Sequence, residues 1–449
     1  MENTISSEKI STQPLRVDVA LAEQLQGVLQ RTLAGFPWCI KVTDWTGRTY
    51  PLGGTAHHWS GLESMNVAIK TPQAGHDLLA LNGMAFMERF LAEEVDITGN
   101  LYLFPEVRGY ARMKLTPLQV LTHRLRNMAF QSPARAKKSV QSHYDIPEDA
   151  LFYLDRVYRS YSCGMWERPS DLNIDDALTI GKGEHDTADT LEKAQWRKFA
   201  DAADYLAPKA NESILDIGAG YGGFMRVAME RYPGCRTVGW THSENQVREG
   251  KQLLADCDSS RFELLKGDYR EEKRVFDHAH STGMVCHVGP KGLVPYVRNV
   301  RAHIKTGGRY LHHVMMTVYT GKPLFSQIGL AFNAKYVWPG FYYFTLGDHI
   351  RALEENGFRV VKMVDLAPHY AKTTRAWYER MMQQKERFAE NTSESTLRAW
   401  QAYLAGGCAS FLNRHIVTGR LYCEAIEISK PSPAQSDPVL NPATHLKHW

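Results

Sequence analysis

Between Ser213 and Phe224 the chain reads Ser-Ile-Leu-Asp-Ile-Gly-Ala-Gly-Tyr-Gly-Gly-Phe, and few folds accommodate that order. Ile214 to Ile217 form a short apolar run that predicts a buried strand, and the glycines after it predict a sharp turn into a helix over 224–230. Glycine admits positive φ and lets backbone come close to a ligand, so Gly218 and Gly220 are candidate binding positions. Asp216, at the strand end, is placed to orient the loop and to reach a polar ligand group.

The pattern is shared by several nucleotide folds, and the acids decide among them. The second strand, 236–240, ends in Thr241-His242-Ser243, so the acid that a dinucleotide site carries about 20 residues on is missing from its usual place. A carboxylate follows the third strand instead, in Gly267-Asp268-Tyr269-Arg270. That arrangement suits S-adenosylmethionine better than NAD; the alternative is a tight strand–helix turn with no ligand.

From His143 onward strands alternate with helices, which predicts an α/β doubly wound sheet. Strand candidates are 213–217, 236–240, 261–265, 276–281, 308–315, 358–364 and 419–428, with a long helical stretch over 366–416. Residues 316–346, rich in Tyr, Phe and Trp, interrupt the alternation and read as an insertion covering a site. Upstream, 1–15 reads as a disordered tail and 16–110 as a smaller α+β unit. That unit has a helix over 17–33, β-like runs at 39–42, 65–69 and 101–104, and one or two helices in 74–93. Residues 111–140 form a basic helical linker, which is either a solvated helix face or a patch that attracts acidic lipid headgroups. The catalytic unit then spans 141–430, and 431–449 is a loose, Pro-rich tail.

With 449 residues the chain is long enough for two or three domains, each with its own core. A formal charge of +4 is too small to argue for nucleic acid but permits contact with an anionic membrane surface. No apolar run reaches the ~20 residues of a spanning helix, and the polar N-terminus lacks the apolar core of a signal peptide. Seven cysteines without metal-ligand spacing read as reduced thiols in a cytoplasmic protein.

A further set of stretches carries a resemblance. They are His143-Tyr144-Asp145, Tyr161-Ser162-Cys163, Leu191-Glu192-Lys193-Ala194-Gln195, the glycine loop, and Val238 to Gln246. After Gly267 to Arg270 come His287-Val288-Gly289-Pro290-Lys291, Leu311-His312-His313 and Pro368-His369-Tyr370-Ala371-Lys372-Thr373 with Trp377. In this order they resemble the cyclopropane fatty acid synthase family, over about 140–428, with a weaker likeness over 16–110. The resemblance implies a seven-stranded S-adenosylmethionine methyltransferase fold with a tunnel for an acyl chain. It implies that Tyr161 and Ser162 hold the methionine end, with Gly218 and Gly220 against the cofactor. Thr241 and Gln246 take the ribose side, and Asp268 with Tyr269 the adenine side.

In this family a double bond of a lipid acyl chain attacks the sulfonium methyl, and proton loss from the resulting carbocation decides between a cyclopropane ring and a methyl branch. Aromatic faces stabilise such a cation; Trp338, Tyr342, Tyr343 and Phe344 are the candidates. The family holds a bicarbonate ion as base through a Cys, a Glu, a His and a Tyr, positions that read Cys163, Cys286, His313 and Tyr370 here. Cys286 departs from the pattern, because a thiol replaces the carboxylate. The expected activity is therefore C-methylation of an unsaturated phospholipid acyl chain, with ring closure as the family default. A methyl-branched product, such as one from a conjugated diene, and N-methylation of a small amine are the alternatives. The resemblance further implies a homodimer at the inner face of a membrane. Of His312 and His313, strand alternation expects one to point inward and one outward.

Overall fold

The computed structural model describes residues 13–107, 110–111, 115–129, 148–174, 188–318 and 328–427. His143-Tyr144-Asp145, most of the N-terminal tail and the whole C-terminal tail lie outside them.

Two sheets organise the molecule. The smaller, in the order β2-β1-β3-β4, comprises β1 (Cys39–Thr43), β2 (Thr49–Leu52), β3 (Ser64–Ile69) and β4 (Val95–Gly99). Alternation along β3 buries Met65, Val67 and Ile69 under the helices Pro72–Leu79 and Gly83–Leu91. The expected strand at 101–104 is absent. The Asn100 amide donates to the Ser64 carbonyl and the chain closes into a 3-10 turn, Leu101–Leu103, whose side chains are all buried. Two strands escaped the reading: β2 contains Pro51, and β4 contains Asp96 and ends in Gly99, residue types that weaken a strand signal. The N-terminal helix begins at Gln13, so 13–15 are helical rather than part of a tail.

The larger sheet has seven strands in the order β10-β11-β9-β8-β5-β6-β7. They are β5 (Ser213–Ile217), β6 (Arg236–Thr241), β7 (Phe262–Lys266), β8 (His278–Thr282), β9 (Arg309–Thr317), β10 (Phe358–Asp365) and β11 (Ile416–Ala425). All neighbours through β9 are parallel; β11 runs antiparallel between β9 and β10. Strand order reverses between β5 and β8, and in such sheets ligands bind beyond the carboxyl ends at that point.

The two units do not have separate cores. A single cluster of buried apolar side chains runs from Leu25 and Phe90 to Trp377 and Ala425. Polar joints reinforce it: Arg398 of the helix Glu394–Leu412 donates to the carbonyls of Phe90 and Val95, and Tyr336 donates to Glu88. The helical stretch 366–416 divides into Ala367–Gln383, Lys385–Asn391 and Glu394–Leu412, and this hairpin bridges both sheets.

Helices cover both faces of the large sheet, so its central strands are buried on both. His312 and His313 are therefore both interior, on opposite faces. His312 meets His349 at 3.1 Å and Tyr310 at 2.8 Å, and His313 accepts from Arg420. Burial drives both imidazoles well below their ordinary pKa and pulls His349 down to about 4. A folded-state pKa below the unfolded one gives stability that is complete above about pH 6.5 and drains as the pH falls toward 4, because the unfolded chain takes up protons that the folded one refuses. Each of the three contributes up to about 1.4 kcal/mol per pH unit in that window. The urea midpoint should fall clearly between pH 7.5 and 5.5; an unchanged midpoint would show these rings to be solvated.

Candidate active site

The site is built from the glycine turn upward. Ile214 to Ile217 are buried on β5, and the chain leaves through Gly218 (φ +78°), Gly220 (φ +57°) and Gly222 (φ +81°) into the helix Gly223–Arg231. The amides of Gly218 and Ala219 donate to the carbonyl of Trp240, so the turn is tied to β6. Left-handed φ at Gly220 coincides with open space where a Cβ would stand.

Asp216 lies opposite His280 of β8 in the strand register, and its Oδ1 is 2.8 Å from His280 Nδ1. A carboxylate only accepts, so Nδ1 carries the hydrogen, and His280 Nε2 accepts from Thr282 at 2.9 Å. Burial outweighs the aspartate and keeps this imidazole below its usual pKa. Phe224 stacks on the ring with centroids 3.8 Å apart. The other carboxylate oxygen of Asp216 is buried without a partner. An unpaired buried acceptor is costly unless a ligand donor meets it.

These residues wall a cavity of about 810 Å³, with Gly218, Gly220, Gln246 and the segment Tyr158–Ser162 around it. Gln246 accepts from the Thr241 hydroxyl at 2.5 Å, so Thr241 stands one bond behind the wall. Asp268 is held by Arg270 and caps the turn Tyr269–Glu271, while the Tyr269 ring meets Tyr296 edge-on. Neither Asp268 nor Tyr269 lines this cavity.

A second cavity of about 400 Å³ adjoins the first, and the two share Tyr161, Ser162, Gly283 and Trp338. Its wall includes Cys163, His287, His313, Phe341, Tyr370 and Tyr403, and none of its lining residues is Asp, Glu, Lys or Arg. Cys163, His313 and Tyr370 thus come together from three distant stretches. Cys286 does not line the cavity. It is buried behind it, its Sγ 3.9 Å from the carbonyl of Met315, with Tyr343 and Tyr370 in its electrostatic neighbourhood. Burial pushes both thiols up to about 12 and the Tyr370 phenol well above its usual value, so all three are neutral near pH 7. His313 uses Nδ1 to accept from Arg420 at 3.2 Å, which leaves the hydrogen on Nε2 and makes the ring a donor toward any other group.

Of the aromatic candidates, Trp338 lines both cavities, while Tyr342 and Phe344 pack on each other at 4.9 Å. Tyr343 is packed edge-on against Phe341, and it is Phe341 that reaches the cavity wall. Of the aromatic segment, Trp338 and Phe341 reach the cavity wall.

The wall between the cavities is held by Lys198, which the sequence did not single out, together with residues of the stretches that carry the resemblance. Lys198 Nζ bonds Ser160 Oγ at 2.5 Å, Ser162 Oγ at 2.8 Å and Gln195 Oε1 at 2.5 Å; Gln195 Nε2 donates to the Ser162 carbonyl at 2.8 Å. From the other side Thr373 Oγ1 accepts from the Gly164 amide and the Trp166 indole, and His369 Nδ1 accepts from the Trp166 amide. Two separate stretches, 191–195 and 368–373, therefore staple the same strap. Arg420 completes the floor: wholly buried, it pairs with Asp201, His313 and the Lys198 carbonyl. Lys198 and Arg420 had one signal in the sequence, a cation on an otherwise apolar helix face or strand. His280 had only its place opposite Asp216.

Residues 131–420 match the family described as mycolic acid cyclopropane synthetase. Among curated relatives, a probable fatty acid methyltransferase of Pseudomonas putida is 27% identical over 83% of this chain and 88% of its own. The cyclopropane-fatty-acyl-phospholipid synthase of Escherichia coli strain K12 is 28% identical over 67% of this chain and 70% of its own. Among solved structures, the cyclopropane synthase MmaA2 from Mycobacterium tuberculosis superposes with a TM-score of 0.57 at 24% identity, covering 64% of this chain and 98% of its own, which is a likeness of fold. With a family match across most of the chain, laid over a glycine turn, an unpaired aspartate oxygen and two joined cavities, the protein belongs to the mycolic acid cyclopropane synthetase family of S-adenosylmethionine-dependent methyltransferases.

Proposed function

We propose that the chain methylates a carbon–carbon double bond in the acyl chain of an unsaturated phospholipid. The observation that carries this reading is the junction of the two cavities, one with polar and glycine walls and the other aromatic and uncharged. S-Adenosylmethionine supplies an electrophilic methyl group carried on a sulfonium. The unpaired oxygen of Asp216 fits its ammonium group, and Gly218 and Gly220 leave room for its body. Tyr161 and Trp338, edge-to-face at 5.1 Å with Tyr161 stacked on Trp377 at 4.8 Å, stand where the methyl crosses from one cavity to the other. Each desolvated aromatic face offers a developing cation on the order of 2 kcal/mol. The apolar lining excludes water that would otherwise quench that cation.

The proton that must then leave finds no anionic side chain in the acceptor wall. His313 and Tyr370 present donors, a set that fits a small anion, and bicarbonate, when bound, supplies a base. Because Cys286 is a neutral buried thiol, the site also favours a second reading: a substrate whose cation needs less help, such as a conjugated diene, giving a methyl branch without ring closure.

Mass spectrometry of phospholipid acyl chains after turnover with trideuteromethyl donor tests both. Two deuteriums retained means a ring or a methylene, three means a methyl branch, and label in added amines with none in lipid would overturn the proposal. Cys286→Glu should raise the ring fraction at least about twofold if the missing carboxylate sets the product; an unchanged ratio would show that it does not.

A further inference from the structure

The helix Pro117–Ala129 carries leucines toward solvent. Leu118 and Leu125, 67% and 54% exposed, are the two most exposed large apolar side chains among the described residues, and Leu121 is 52% exposed. Spacings of three and four place all three on one stripe of the helix. The helix is not a frayed end. Thr116 and Gln119 cap it reciprocally, Gln119 donates to Asn82 at 3.2 Å, Leu115 before it is buried, and Val120 packs against the core. The body of the protein therefore holds it with an apolar stripe facing out.

Charge indicates what covers that stripe. From Val107 to Tyr144 the sequence contains Arg108, Arg112, Lys114, Arg124, Arg126, Arg135, Lys137 and Lys138, with no Asp or Glu. Since the whole chain sums to +4 with 53 basic and 49 acidic residues, removing these eight leaves 45 against 49, a net −4. All the excess positive charge of the sequence thus falls within residues 107–144, the stretch that contains the helix with exposed leucines. An apolar stripe with a local cation excess is the pattern of a helix that lies in the plane of a lipid surface.

We infer that Pro117–Ala129 is the element by which this protein docks on an anionic lipid surface, its leucines entering the headgroup boundary and its own Arg124 and Arg126 favouring acidic headgroups. The inference is separable from the acyl-methylation reading, because vesicles without double bonds report docking alone.

The test is cosedimentation of the full chain with diphytanoyl vesicles of phosphatidylglycerol or of phosphatidylcholine, without methyl donor. The expected result is binding to the anionic vesicles, weakened by 0.5 M salt, and much weaker binding to the zwitterionic ones. Leu118→Ser with Leu121→Ser and Leu125→Ser should weaken binding at least about tenfold. Arg124→Gln with Arg126→Gln should weaken it by about fivefold per cation on the anionic vesicles only. S-Adenosylmethionine affinity should stay unchanged in both variants, which shows that they fold. Equal binding of the leucine variant and the parent overturns the proposal. So does a leucine variant that binds vesicles normally while its sedimentation shifts from dimer to monomer, since the stripe is then a contact between two copies.

Discussion

Gly220→Val should weaken S-adenosylmethionine binding by at least about 100-fold, on the order of 2.7 kcal/mol, while leaving a folded protein. Gly220 sits at φ +57°, and a Cβ built there meets nothing within 4 Å. The substitution therefore clashes with no protein atom; its isopropyl group projects into the 810 Å³ cavity instead. Left-handed φ in a β-branched residue adds backbone strain of about 1–2 kcal/mol, which by itself would lower stability without touching the ligand. Gly307→Val separates the two effects. Gly307 has φ +84°, equally open surroundings and a place in the turn before β9, remote from the cavity lining. It should lose comparable stability and keep its affinity. Isothermal titration with S-adenosylmethionine decides, and an affinity for Gly220→Val within about threefold of the parent would refute the cavity as the cofactor site.

Arg420→Met should cost about 3–5 kcal/mol of stability, the usual effect of removing one partner from a buried charged network. The guanidinium is completely buried between β11 and the helix Leu191–Leu206, where it satisfies the Lys198 carbonyl at 2.7 Å, His313 Nδ1 at 3.2 Å and the Asp201 carboxylate. Methionine fills the volume but leaves a buried carbonyl and a buried imidazole nitrogen unpaired. Asp201 is partly exposed and can turn to water, which keeps the cost at the lower end. The denaturant midpoint should fall with the slope unchanged. Arg420→Lys should recover part of the loss through its charge but not the His313 contact, because an ammonium cannot reproduce the guanidinium fork. Loss of activity at full stability would instead assign Arg420 a role in the chemistry alone.

The fold was legible where strands alternate with helices. All seven strands of the large sheet fall within three residues of the stretches read as strands; that alternation, not an apolar run in each, announced them, since β8 is His-Ala-His-Ser-Thr and β11 runs antiparallel to both its neighbours. The glycine turn was equally legible, because positive φ restricts the residue type. In the small sheet Pro51 in β2 and Asp96 and Gly99 in β4 hid those strands, and the apolar run 101–104 was taken for a strand because burial alone does not distinguish a strand from a buried turn.

Chemistry-bearing residues divide in the same way. Asp216, Gly218 and Gly220 were readable because each sits at a fixed offset from a strand end, Gln246 came from the family resemblance, and the four share one cavity wall. The positions of Cys163, His313 and Tyr370 came from the family resemblance, and the fold brings them to one aromatic cavity. Lys198, His280 and Arg420 were not readable, since each takes its meaning from a partner more than 35 residues away.

By itself, then, the sequence determined the strand–glycine–helix start, the alternation that builds the seven-stranded sheet, and the concentration of positive charge in 107–144. Each depends on local conformation or on composition, which the order of residues specifies directly. Only the tertiary structure decided that His313 is a neutral donor, that Cys286 stands behind the acceptor wall, and that the leucines of Pro117–Ala129 face outward. Those are properties of environment: which groups burial removes from water, and which partner from a distant stretch is left to satisfy them.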